Sequence, residues 1–160
     1  LRAAKAPDAH ADMGRHHIRW AIMPHSGPLT SQTVRAAYNF NNPMTLLQGD
    51  TKVDKASLLR ELPIRLTGSL SLILDTVKRG EDDEDVSRGE FTKRKGRSII
   101  LRIYDSLGGM SKGAIETTLN VTKVWKTNVL EDDLEAMTIE NGKVDICLRP
   151  FEVATFRLQL

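Results

Sequence analysis

The side chains able to do chemistry crowd into one stretch, Asp8 to Gly27, which reads DAHADMGRHHIRWAIMPHSG. It holds all four histidines, His10, His16, His17 and His25, together with Asp8 and Asp12. Asp8, His10, Asp12, His16 and His25 are the ligand types of a zinc site. Their spacing argues against one, because the chain has neither a helical HExxH nor paired Cys/His knuckles. Asp8 and Asp12 could instead supply acid and base, yet both fall in one loop, whereas the two carboxylates of a glycosidase must flank the scissile bond. Turn chemistry accounts for the same residue types with fewer assumptions. In that reading Asp12 and Gly14 shape a turn, and His16 and His25 bond to nearby backbone.

The second half of the stretch reads as a strand that would position these groups. Ile18, Trp20 and Ile22 alternate with His17, Arg19 and Ala21. Pro24 ends it, and His25 to Pro28 reads as a turn. The first half, from Ala6 through Gly14, is polar and irregular. A chain that opens in such a loop and then enters a core strand is expected to be part of a longer protein. Leu29 to Asn42 stays open between helix and loop: Thr33, Val34, Ala37 and Tyr38 have helical spacing, Ser31 could cap, and Asn39 to Pro43 stops the run.

From Pro63 onward the period is two. Leu70, Leu72 and Leu74 define one strand, ending near Val77. Ile99, Leu101 and Ile103 define another. Ile115 to Thr122, then Val144 to Leu148, then Ala154 to Leu160 follow, each with an apolar and a polar face. Glu131 to Thr138 reads as a short helical turn or irregular link. The pattern predicts an all-β fold, an antiparallel β-sandwich in which residues 1–160 form a single domain, with 1–28 as its opening loop and first strand.

A length of 160 residues suffices for a core without staples. The single cysteine, Cys147, lies among apolar neighbours in sequence and is expected to be a buried, reduced thiol. Lys and Arg total 23 against 21 Asp and Glu, a balance that gives no reason to expect a nucleic-acid or membrane partner. No run of about 18 apolar residues occurs. Leu1 to Ala11 lacks the blocks of a signal peptide. Lys78 to Arg97, KRGEDDEDVSRGEFTKRKGR, is an acidic block followed by a basic one. Lys93, Arg94, Lys95 and Arg97 could bind phosphate, but Glu81 to Asp85 would neutralise them locally, so the stretch is expected to be a solvated, mobile excursion. Asn120-Val121-Thr122 matches the glycosylation sequon but falls in a predicted strand and is treated as chance. Gly108 to Gly113 lacks the ending of a phosphate-binding loop and reads as a strand-to-strand turn.

The string APDAHADMGRHHIRWAIMPHSGPL resembles the opening of the C-terminal β region of glycoside hydrolase family 38, the class II α-mannosidases. RSIILRIYDSLGG, KVWKTNVLEDDLEAM and a closing LRPFEVATFRLQL follow in the same order, so the resemblance spans nearly the whole chain. It is closer to the cytosolic and fungal vacuolar branch than to the lysosomal one. The resemblance implies a retaining exo-α-mannosidase with an aspartate nucleophile, a second carboxylate as acid/base and a zinc ion that grips the sugar. Those groups belong to the N-terminal part of such enzymes, and no string here matches their motifs. No catalytic, cofactor-binding or metal residue is therefore assigned to this chain, and zinc is expected only in the parent enzyme. The implied partners are the N-terminal catalytic and helical domains, α-mannoside oligosaccharides through the parent, and further copies in a homo-oligomer, in cytoplasm or vacuole. Asp12, Gly14, His16 and His25 are expected to face the catalytic part. The rival is a freestanding carbohydrate-binding or interaction module, poorly supplied with aromatics because Trp20 and Tyr104 both fall in apparent strands.

Overall fold

The computed structural model describes residues 6, 8, 10, 13–46 and 62–160. One helix, α1 (Ser31–Asn41), precedes eight strands: β1 (Ile64–Gly68), β2 (Leu72–Arg79), β3 (Ser98–Asp105), β4 (Ser111–Thr117), β5 (Lys123–Thr127), β6 (Asp133–Met137), β7 (Lys143–Leu148) and β8 (Val153–Gln159). They form two sheets, a three-stranded β1-β4-β7 and a five-stranded β2-β3-β8-β5-β6, with every adjacent pair antiparallel. The antiparallel β-sandwich is the predicted one.

Period-two alternation builds the core. Val144, Ile146 and Leu148 of β7 and Ile115 of β4 face Leu101, Ile103, Val124, Ala154, Phe156 and Leu158 of the larger sheet. Each of these side chains is almost fully removed from water, which contributes roughly 1.5–3 kcal/mol apiece for the large aliphatics. The same alternation turns Asp145 and Cys147 outward. Cys147 is exposed, contrary to expectation, because a strand residue takes its surroundings from the sheet face and not from its sequence neighbours. Its thiol lies 3.6 Å from the sulfur of Met110.

Several elements differ from the sequence reading. Residues 15–25, expected to include the first strand, have no helix, turn, sharp bend or strand pairing among the described residues. Glu131 to Thr138 contains strand β6 instead of a helical turn, because pairing with β5 overrides the local composition. The strand predicted over 115–122 splits: β4 stops at Thr117, and 118–122 crosses to the other sheet before β5. Asn120 is consequently in an exposed loop and not in a strand.

β2 begins two residues after Leu70, which is exposed, and a register shift between Leu74 and Thr76 interrupts the alternation beyond Leu74. β2 is also an edge strand, and α1 lies along that edge. Tyr38 Oη donates to the Asp75 carbonyl at 2.7 Å, and Arg35 Nη2 donates to the Leu72 carbonyl at 3.3 Å. Thr30, not Ser31, is the N-cap residue of the helix. Its far end is closed by Asn41 and Asn42, whose side-chain amides donate to the carbonyls of Ala37 and Tyr38.

β1 and β4 approach so closely that two glycines face each other, Gly68 opposite Gly113. A Cβ on Gly113 would stand 2.2 Å from the Thr67 carbonyl oxygen and 2.6 Å from Leu72 Cδ1. Gly113→Ala is expected to destabilise the fold by about 2–3 kcal/mol through overpacking against backbone. Urea unfolding of wild type and variant checks it, and an unchanged midpoint would remove the argument.

Candidate functional site

The charged connection between β2 and β3 is solvated over most of its length, with 84–86, 88–93 and 95–97 exposed, but Gly80, Asp83 and Ser87 are buried. It folds over the outer face of the five-stranded sheet and encloses Arg157, which is fully buried. Alternation along β8 did place Arg157 and Thr155 opposite the core face, but that second face is covered. Arg157 Nη1 donates to Asp82 Oδ1 at 2.7 Å and to Ser98 Oγ at 2.9 Å, and Nη2 donates to the Glu131 carbonyl at 2.8 Å. Asp133 stands 3.3 Å from Nε, an ion-pair distance without hydrogen-bond alignment.

Asp83, also fully buried, accepts from Arg79, from the Ser98 backbone N–H at 2.8 Å and from the Ser98 hydroxyl at 2.7 Å. Arg94 bridges Asp82 and Asp133 at 3.0 and 2.9 Å, and its guanidinium lies 5.8 Å from the Trp125 ring centre. Burial opposes ionisation of Asp82, but the bonds from Arg157 and Arg94 hold its pKa below the usual carboxylate range. Gly80 has no room for a side chain: a Cβ there would lie 2.3 Å from Ser98 Oγ and 2.9 Å from Arg157 Nη1. Of the four residues proposed for phosphate, Arg94 and Arg97 are committed to carboxylates, Arg97 with Asp85 at 3.3 Å.

A second polar staple holds the turns at the other end of β3. Asp105, almost fully buried, accepts from Ser111 Oγ and the Gly108 N–H at 2.7 Å each and from the Phe151 N–H at 3.1 Å. Burial pushes its pKa upward, yet these donors outweigh it and bring the value down to about 2. Glu152 is likewise held at about 2, first by the Arg149 backbone N–H and then by Lys126.

The histidine-bearing opening is arranged quite differently. Asp8 accepts from the His10 N–H at 2.9 Å, and the Met13 N–H donates to the His10 carbonyl at 3.1 Å, so turn chemistry is realised there by Asp8. Asp12 is outside the described residues. Gly14 takes φ of +138° and Gly27 +73°, both suited to glycine. Gly14, His16 and His25 are exposed, and the described residues bring no three His, Cys, Asp or Glu side chains together as metal ligands. Arg19 reaches α1, its guanidinium 4.8 Å from the Phe40 ring centre. Ile18, Trp20 and Ile22 remain 61, 77 and 80 per cent exposed.

One groove of about 800 Å³ opens beside Arg65, Glu116, Glu135, Glu140 and Lys143. It is lined without aromatic rings, so it lacks the stacking surface expected of a sugar platform.

Residues 71–156, more than half of the chain, match the glycosyl hydrolases family 38 C-terminal beta sandwich domain. The chain belongs to glycoside hydrolase family 38. An α-mannosidase of Saccharomyces cerevisiae is 42% identical across 99% of this family 38 chain, which corresponds to 15% of that protein. Alpha-mannosidase 2C1 of mouse is 30% identical and that of human 29%, each across the full chain and 14% of the relative's length. This family 38 chain therefore spans about one seventh of the relatives it matches. The match sits on the sandwich and begins well after the histidine-rich opening. Arg157 and its carboxylates were the part that sequence reasoning missed. The available signal was an arginine in the last strand together with an acidic block in the longest charged connection.

Two outcomes follow. Arg157→Met should cost about 3–5 kcal/mol, because Asp82 and its neighbours would be left without their buried counter-charge; chemical denaturation measures it. Because the native pKa values of Asp105 and Glu152 lie below their unfolded values, their contribution to stability is complete above about pH 4 and is lost as pH falls toward about 2. Asp105→Asn should flatten that acid limb when thermal midpoints are recorded against pH.

Proposed function

We propose that this chain is the C-terminal structural domain of a larger α-mannosidase and contributes no catalytic group. The observation that carries this reading is the commitment of its buried carboxylates. Asp82 and Asp83 are bonded to arginines, and Asp105 to the donors of two turns. A glycosidase needs one carboxyl group kept protonated and a second placed across the scissile bond from it. The donors around Asp82 and Asp105 hold those two carboxyl groups below the usual carboxylate range, which suits bracing and not proton transfer.

The share of the relatives' length outside this chain supports the same division of labour. Hydrolysis of terminal α-mannose residues from oligosaccharides, with retention through a glycosyl intermediate, would be carried by the preceding part of the polypeptide. Zinc would be held there too. The sandwich would pack against the catalytic and helical domains, brace the rim of the active site and offer a surface for homo-oligomer contacts, in cytoplasm or vacuole. No helix here is long and apolar enough to cross a membrane among the described residues.

The test is hydrolysis of an aryl α-mannoside by this chain and by the full-length polypeptide, each with the mass of every co-purifying chain determined. No turnover from the chain and turnover from the full-length protein are expected. Turnover by the chain alone would overturn the reading and return attention to Asp8, Asp12 and the histidines.

A further inference from the structure

Residues 16–23 combine a strand's sequence with a surface segment's environment. Ile18, Trp20 and Ile22 alternate with His17, Arg19 and Ala21, the period of a half-buried strand. The run from 15 to 25 has no helix, turn or sharp bend. Yet it has no ladder partner among the described residues, and its three large apolar side chains are all more than half exposed. Met13, Met23 and Leu29 are exposed as well, and exposed apolar surface of this kind marks contact sites when it is extensive.

Neither sheet of the sandwich pairs with this segment among the described residues. The β2 edge of the larger sheet is taken by α1, through Tyr38 and Arg35. Arg19 is drawn toward Phe40 of that same helix, which leaves the alternate side chains, Ile18, Trp20 and Ile22, to face away. The family match begins at residue 71, so the segment also lies outside the matched sandwich domain.

We infer that residues 16–23 are a strand of a different sheet, one formed by the part of the polypeptide outside these 160 residues, with Ile18, Trp20 and Ile22 buried in that sheet's core. The occupant is the same polypeptide and not a second copy. About six sevenths of each relative lies outside the matched length, so an intramolecular sheet is tethered close by at a high effective concentration that a separate molecule does not match. Backbone N–H and C=O groups would gain their ladder bonds there, and alternate side chains would fix the register. The chain is then divided functionally near α1: the segment before the helix completes a neighbouring domain, and the strands after it build the sandwich. This rests on the reading that the chain is one domain of a longer enzyme.

The experiment uses the full-length polypeptide, with a photoreactive benzoylphenylalanine in place of Trp20 and with hydrogen exchange followed at residues 17–23. The expected result is an intramolecular adduct to a peptide outside these 160 residues, together with exchange slowed on the order of 100-fold or more relative to unstructured chain. An adduct within the 160 residues, a cross-linked dimer, or no adduct overturns the inference, and so does unprotected exchange at 17–23. Turnover of the aryl α-mannoside is measured on the same preparation. Turnover with unprotected residues 17–23 sinks this inference alone, whereas an external adduct without turnover sinks the α-mannosidase reading and leaves the strand assignment standing.

Discussion

The outer face of the five-stranded sheet is organised by one buried guanidinium. Arg157 projects from β8 into a site with no access to water, where an unpaired charge would cost several kcal/mol. Its partners come from three separate places in the chain: Asp82 from the charged connection, Ser98 from the start of β3, and Glu131 with Asp133 from the turn and strand after β5. Each of these segments is tied to the buried arginine. Buried ion pairs add little net stability compared with an apolar replacement, so the gain here is specificity of arrangement.

β3 shows how far that arrangement reaches. Its first residue, Ser98, belongs to the Arg157 and Asp83 network, and its last, Asp105, holds the turns of 105–111 and 148–152. Between those ends its side chains are apolar on the core face, and Ile100 on the other face is buried beside Arg157 in the ladder. β3 is therefore pinned by polar contacts at both ends and by hydrophobic burial in the middle. Two residues in left-handed backbone, Glu131 and Phe151, occur at those polar ends, with φ of 72° and 57°. The bond from Arg157 to the Glu131 carbonyl and that from the Phe151 N–H to Asp105 hold those conformations in place.

The sandwich was legible in the sequence wherever alternation alone decides a strand, as in β3, β7 and β8. It became illegible where a tertiary partner decides. β6 has the composition of a link and is a strand because β5 lies beside it. Cys147 has apolar sequence neighbours and a wet sheet face. Residues 17–23 have a strand's pattern without a partner among the described residues. The charged connection was hardest, since like-charge blocks are ordinarily solvated and a distant arginine, nearly sixty residues after Ser98, draws only part of this one against the sheet. For the site, the expected interface residues Gly14, His16 and His25 are at the surface, while the chemistry of buried carboxylates could not be read without knowing what covers them.

The position of α1 has a consequence for the chain's colloidal behaviour. An uncovered edge strand is a template onto which any extended segment can add, and repeated addition leads to ordered fibres. Tyr38 and Arg35 occupy the Asp75 and Leu72 carbonyls that such a segment would need, so a short amphipathic helix does the work that a proline or an inward lysine does on other edges. Ser31 to Asn41 thus cover part of one sheet edge and leave fewer of its carbonyls open to strand addition, while contributing little to the core.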